Sequence, residues 1–286
     1  MKYWKKIIIA IYLITILMMI CKASVIKKNI EKFTENTPKI LFTCTSYISK
    51  PTKLDSLKQT LDSFLKHTSI EKINKMIVIN EYGKNTTEPI SLLEKMYPQL
   101  EFIDKAEKDK GQARSINMII DILREGTYDY WLHWEDSWIL KKPFLSNAID
   151  ILQDNKVDQL QLIPRWKDVE EERKKVWTTG SGKKYIEILK INDSIDSQLQ
   201  PFGTCADFKL DWWENDNENW PLFSLSPGID KVERVLNTGY FDTSPELWPV
   251  IFEFKWAVKW LCGGARKAIL DETVCERIAN HTSTYD

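Results

Sequence analysis

No excess of either charge marks this chain: 40 lysines and arginines stand against 41 aspartates and glutamates, a net −1 over 286 residues. Nucleic acid is thereby excluded as the main partner, since its phosphates call for a basic face. The five cysteines, Cys21, Cys44, Cys205, Cys262 and Cys275, have no metal-type spacing and are odd in number. That argues against a cysteine metal centre and a disulfide framework; a Cys262–Cys275 bridge is conceivable, but nothing in the sequence supports it. A phosphate loop is missing as well. Gly180-Ser181-Gly182-Lys183 ends like one, but Trp177 stands where the leading glycine belongs, so the run reads as a surface turn. No glycine-rich loop with arginine and lysine follows the first strand-like run, which disfavours a nucleotidyltransferase. Internal repeats and low-complexity tracts are absent too.

Long apolar runs are limited to one. Lys2, Lys5 and Lys6 precede the uninterrupted stretch Ile7 to Cys21, and Lys22 closes it. As a helix it would span about 22 Å, short of a ~30 Å hydrocarbon core but compatible with a thin membrane. Because the run is strongly apolar and ends in lysine, it reads as an uncleaved single-pass anchor over residues 1–22. A cleaved signal peptide is the alternative, with Cys21 and Ala23 as the small residues before Ser24. Residues 23–38 then form a polar stem. Lysines on both sides leave the orientation open. Sequons at Asn85, Asn192 and Asn280 agree with a lumenal or otherwise extracytoplasmic folded part.

What is plentiful is tryptophan, twelve in all. Most should fill the core, with a few lining a cleft. From Lys39 onward, strand-like and helix-like patterns alternate. Ile40–Ser46, Ile73–Asn80, Leu100–Asp104, Tyr128–Trp134 and Val157–Pro164 read as strands. Leu54–Leu65, Ile116–Leu123 (ended by Gly126) and Phe144–Leu152 read as helices. This pattern predicts βαβ units and a mainly parallel sheet. Near the end, Ile251, Phe254, Val258 and Leu261 mark a helix that Gly263-Gly264 stops, before a strand at Lys267–Leu270. Between Arg165 and Leu236 the pattern loosens.

One junction stands out. The aromatic strand Tyr128–Trp134 runs straight into Glu135-Asp136-Ser137-Trp138. Adjacent carboxylates at the end of a core strand need a partner, because burying them unpaired is costly. A divalent cation at the carboxyl edge of the sheet is the usual one. The loops Thr43–Tyr47, Asn80–Asn85 and Asp109–Ser115 gather at that same edge and are likewise rich in polar residues.

Four segments together resemble the family 2-like glycosyltransferases of the GT-A fold, over roughly residues 40–286. They are Phe42-Thr43-Cys44-Thr45-Ser46-Tyr47 with its following helix; Lys110-Gly111-Gln112-Ala113-Arg114-Ser115-Ile116-Asn117; and His133-Trp134-Glu135-Asp136-Ser137-Trp138, similar to a His-x-Glu-Asp-Asp-Trp motif. The fourth is the chain end, with Phe252-Glu253-Phe254, Gly263-Gly264 and His281-Thr282-Ser283. The resemblance implies a three-layer α/β/α sandwich over 39–286, preceded here by a transmembrane helix. Residues 39–165 would form the nucleotide-sugar half and 166–286 the acceptor half. It implies inverting transfer of a sugar from a UDP- or GDP-sugar to a glycan, protein or lipid hydroxyl, assisted by Mn²⁺ or Mg²⁺.

By the same resemblance Thr45, Glu81, Gly111, Arg114, Asn117 and Glu135 would face the nucleotide. Asp136 and His281 would hold the metal. Glu253 would be the general base, with Asp242 and Glu246 as rivals. Ser137 departs from the pattern, standing where a metal-binding aspartate is usual. It raises the alternative of a catalytically degenerate binding protein on the same fold.

Overall fold

The computed structural model describes residues 19, 37–82, 90–154, 157–163, 174–188, 223–244 and 251–278. The chain divides into two units, Met1–Pro38 and Lys39–Asp286. Apart from Met19, the apolar run Ile7–Cys21 lies outside the described residues, as do the sequons at Asn85, Asn192 and Asn280. Among the described residues no helix is long and apolar enough to cross a membrane.

The second unit is built on a nine-stranded sheet, ordered β3-β2-β1-β4-β9-β6-β10-β8-β7. Its strands are β1 (Ile40–Ile48), β2 (Lys75–Tyr82), β3 (Glu101–Asp104), β4 (Tyr130–Glu135), β6 (Gln159–Gln161), β7 (Lys174–Thr178), β8 (Lys184–Ile188), β9 (Gly228–Lys231) and β10 (Lys267–Leu270). A two-stranded ribbon pairs β5 (Trp138–Leu140) with β11 (Cys275–Arg277). The β1–β2, β1–β4, β2–β3 and β6–β10 ladders are parallel. Only β9 and β8 run against the rest, so the mainly parallel sheet predicted by the alternating pattern is present. Its first-half elements fall within a few residues of the predicted ones.

Central parallel strands are buried on both faces, which is why β1 opens on the apolar run Ile40-Leu41-Phe42 and buries Thr43 and Cys44 after it. Ile40, Phe42 and Cys44 pack on one side, against Leu54, Leu57, Leu61 and Phe64 of α1 (Pro51–His67). Pro51 suits that helix start, since its fixed φ is helical and its missing N–H would have no intrahelical partner. The same face carries α2 (Ile90–Met96) and α4 (Leu145–Gln153). The opposite face of the sheet is covered by α3 (Gln112–Glu125), α5 (Val232–Thr238) and α6 (Ile251–Cys262). Helices on both faces make the three layers expected of the sequence.

Tryptophans fill this core as predicted: Trp131, Trp134, Trp256 and Trp260 are fully buried. The glycine run near residue 180 is the turn of the β7–β8 hairpin, with Gly182 at φ 83° and its N–H donating to Thr179 O at 2.9 Å. Cys262 is disulfide-bonded, but not to Cys275, which is a free buried thiol, as is Cys44.

Candidate active site at the carboxyl edge of the sheet

Parallel strands deliver their carboxyl ends, and the loops that follow them, to one edge. β1 ends at Thr45–Ile48, β2 at Asn80–Tyr82 and β4 at Glu135. In register, Thr45 stands beside Glu135 and Tyr47 beside Glu81. Four of the sequence-predicted positions, Thr45, Glu81, Glu135 and Asp136, are therefore neighbours at this edge.

Strand alternation sends the two acidic residues different ways. Asp136 is buried, and its Oδ2 accepts the Tyr47 N–H at 3.1 Å while its own N–H donates to Thr45 O at 3.2 Å. The carboxylate thereby ties the acidic turn to the end of β1. Burial lifts it to about 6, opposed by the Tyr47 bond and the nearby charge of Lys53. Glu135 is half-buried; its Oε2 accepts the Trp138 indole N–H at 3.1 Å and its Oε1 the Gln112 amide at 3.4 Å. Loss of water around its carboxylate, followed by the charge of Glu253, pushes Glu135 up to about 7.

On the β2 side, Glu81 Oε2 accepts both the Lys105 ammonium and the Gly111 N–H, each at 2.8 Å. Gly111 precedes α3 with φ 109°, a conformation that strains any side chain. Arg114 is exposed and donates to Lys108 O. Asn117 clamps the Phe241 backbone, donating to its O at 2.9 Å and accepting its N–H at 2.8 Å. Its amide thus holds the loop before α6.

That loop leads into the helix that carries Glu253. Glu253, in the first turn of α6, accepts the Leu225 N–H at 2.7 Å and is near enough to raise Glu135. Asp242 is engaged by its neighbours: it accepts from Ser244 N and Oγ (3.0 and 2.6 Å) and from Lys255 at 3.3 Å. These bonds hold its carboxyl below the usual range. Glu246 and His281 lie outside the described residues. The last described residue, Ile278, donates its N–H to Ser137 O at 2.9 Å, which brings the chain end to the acidic turn.

Sequence reasoning passed over Lys105, and read Gln112 and Trp138 only as motif neighbours. Nothing in a lone lysine after a short strand announces a buried charge. His133, conspicuous in the motif, is buried with Nδ1 3.2 Å from Thr43 Oγ1, and desolvation lowers it to about 3. It stays neutral beneath the site.

As to metal, a hard cation wants carboxylate oxygens. The acidic turn offers two carboxylates, Glu135 and Asp136, of which Asp136 already accepts the Tyr47 N–H and Glu135 the Trp138 indole N–H. Among the described residues, however, no group of three or more His, Cys, Asp or Glu side chains could hold a metal ion.

Solved structures share this architecture. The chain superposes on GalNAc-T7 with UDP, GalNAc and Mn²⁺ at a TM-score of 0.53, with 10% identity over 86% of this chain and 45% of that one. The fold is that of the GT-A glycosyltransferases. S. aureus TarS (residues 1–349) in complex with UDP-GlcNAc matches at 0.51, with 15% identity over 86% of this chain and 61% of the other. The mannosyltransferase PcManGT from Pyrobaculum calidifontis, with GDP-Man and Mn²⁺, matches at 0.51, with 16% identity over 85% and 58%. The chain thus spans about half the length of these GT-A enzymes. No protein-family model matches it, and no curated protein does so by sequence.

Proposed function

We propose that the chain is a metal-dependent, inverting glycosyltransferase that moves a sugar from a UDP- or GDP-sugar to an acceptor hydroxyl. The observation that carries this reading is the gathering of Thr45, Glu81, Glu135 and Asp136 at the carboxyl edge of a sheet with the GT-A architecture. The solved neighbours that hold UDP or GDP-Man with Mn²⁺ support the same donor class.

Each residue has a task that its surroundings suit. Thr45 and Glu81, at the ends of β1 and β2, would face the nucleoside, with Gly111 admitting close backbone approach and Arg114 reaching phosphate. Glu135, Asp136 and His281 would hold a divalent cation, which when bound supplies neutralisation of the charge developing on the leaving diphosphate. Glu253 would take the proton of the attacking hydroxyl. It is favoured over Asp242, because a carboxylate held below its ordinary range is the weaker base. Asn117 would act indirectly, through the loop it clamps.

A second reading, a catalytically degenerate nucleotide- or glycan-binding protein, draws on a specific observation. Ser137 is buried and Asp136 already serves the β1 end, so the metal site has fewer carboxylates than the motif's usual form. We also infer a membrane-anchored, extracytoplasmic location with the acceptor a glycan, protein or lipid. The disulfide at Cys262 agrees with an oxidising compartment.

Thermal shift of the full chain with UDP, GDP and CMP, with and without Mn²⁺, followed by nucleotide release from a sugar-nucleotide panel, tests the reading. Metal-dependent stabilisation that disappears in His281→Ala, together with release, supports the enzyme. Binding without release, even with acceptors supplied, supports the degenerate form. No binding would overturn both.

A further inference from the structure

Lys105 follows the last residue of β3, and its side chain is fully withdrawn from solvent. Its ammonium donates three bonds: to Glu81 Oε2 at 2.8 Å, to Gly111 O at 2.8 Å and to Ser115 Oγ at 2.9 Å. All three N–H groups are thereby satisfied, which is what allows a lysine to be buried with its charge. Desolvation lowers its pKa, and Glu81 opposes that shift.

These bonds close a ring. Gly111 presents its O to Lys105 and its N–H to Glu81 Oε2 at 2.8 Å, so both polar groups of this glycine are fixed by the same ion pair. The next residue, Gln112, reaches Glu135 Oε1 at 3.4 Å. Glu81 at the end of β2 and Glu135 at the end of β4, two strands apart with β1 between them, are thereby joined through the start of α3. The two bonds at Oε2 also orient the Glu81 carboxylate. Its Oε1 has no hydrogen-bond partner among the described residues and remains as the acceptor for an incoming donor group. Asn80, the preceding residue, is held too: its O accepts the Lys105 N–H at 3.0 Å, and its side chain bonds Ser46 and Asp104.

We propose that Lys105 is a positioning residue for the nucleotide side of the site: it aims Glu81 Oε1 at a hydroxyl or N–H of a nucleoside and fixes the Gly111 backbone beside it. The inference rests on the nucleotide-sugar reading above. It assigns to a buried residue, which never meets the ligand, control over donor affinity separate from turnover chemistry. A lysine that merely stabilised the fold would have no such selectivity.

The test compares Lys105→Met, Lys105→Arg, Glu81→Gln and the double variant Lys105→Met/Glu81→Gln with the wild-type full chain. Titration with UDP, GDP and CMP in Mn²⁺ gives Kd, sugar-nucleotide kinetics give kcat and donor KM, and urea unfolding gives stability. Lys105→Met should raise nucleotide Kd and donor KM at least about tenfold while kcat stays within about threefold, and Lys105→Arg should recover part of the affinity, since the ion pair persists. The double variant removes both buried charges and should regain stability relative to Lys105→Met, yet stay at least about tenfold weak for nucleotide. Affinity returning together with stability in the double variant would reduce Lys105 to a structural ion-pair partner and overturn the proposal. So would an unchanged Kd in Lys105→Met. Should the wild type bind none of the three nucleotides, the functional reading falls and the proposal with it; binding by the wild type and by Lys105→Met alike sinks the proposal alone.

Discussion

Glu253 is the residue whose chemistry can be tested most directly. Its carboxylate already accepts a backbone N–H from Leu225, a bond that a glutamine can also accept. Glu253→Gln should therefore preserve the fold and nucleotide affinity while lowering kcat by about 10²–10⁴-fold. Asp242→Asn should lower it far less, and steady-state kinetics of the pair decide which is the base. Away from the site, Asp230 on β9 is buried beside Gln159, whose Nε2 is 3.3 Å from Oδ2, and its Oδ1 has no partner among the described residues. Burial pushes this carboxyl from 3.8 up to about 8. In the unfolded chain it ionises near its ordinary value, so between roughly pH 4 and 8 the native state keeps a proton that the unfolded state has lost. Stability from this group is thus fully present at low pH and falls as pH rises, by up to about 1.4 kcal/mol per unit. Asp230→Asn should abolish that slope and be the more stable form at pH 8, as urea midpoints at pH 5 and pH 8 would show.

At the scale of elements, α6 joins core to site. Trp256 is buried, stacks on Phe241 with ring centroids 4.5 Å apart, and donates its indole N–H to Gly239 O at 2.7 Å. Trp256→Ala should lower unfolding free energy by about 3–5 kcal/mol in urea titrations. Because Phe241 precedes Asp242 and α6 carries Glu253, turnover should fall with it. Asn117→Ala removes both bonds to the Phe241 backbone and should cost about 1–3 kcal/mol by the same measurement. Which elements were legible in the sequence follows from their patterning. α1 and α3 show helical stripes (Leu54, Leu57, Leu61; Ile116, Ile119, Leu123), and β1, β2 and β4 hold short apolar or aromatic runs (Ile40–Phe42, Met76–Ile79, Tyr130–Leu132). β9 gave no such signal: it is four residues long with Asp230 in its middle, and it lies antiparallel between strands from distant parts of the chain. The short ribbon of β5 and β11 was equally silent, its strands being three residues each.

At the scale of the whole molecule, anchor and location make a separate prediction. If the apolar run Ile7–Cys21 anchors the chain with its folded part in a secretory lumen, expression in eukaryotic cells should give a membrane-bound product. Its mobility should shift on glycosidase treatment. Recovery in the soluble, unglycosylated fraction would reject that location. The acidic turn, the glycine before α3 and the alternation of strands and helices were determined by the sequence alone. Those features depend on local chemistry: charges that end an apolar strand, a residue free to adopt positive φ, and periodicities of two and 3.6. Only the tertiary structure decided what each polar side chain does. It turned Asp136 toward the Tyr47 N–H and Glu135 toward Gln112 and Trp138, gave Asn117 to the Phe241 backbone, and buried Lys105 between Glu81 and Gly111. Those pairings join residues up to 124 positions apart, and partners so distant are chosen by strand order and register, which no local pattern encodes.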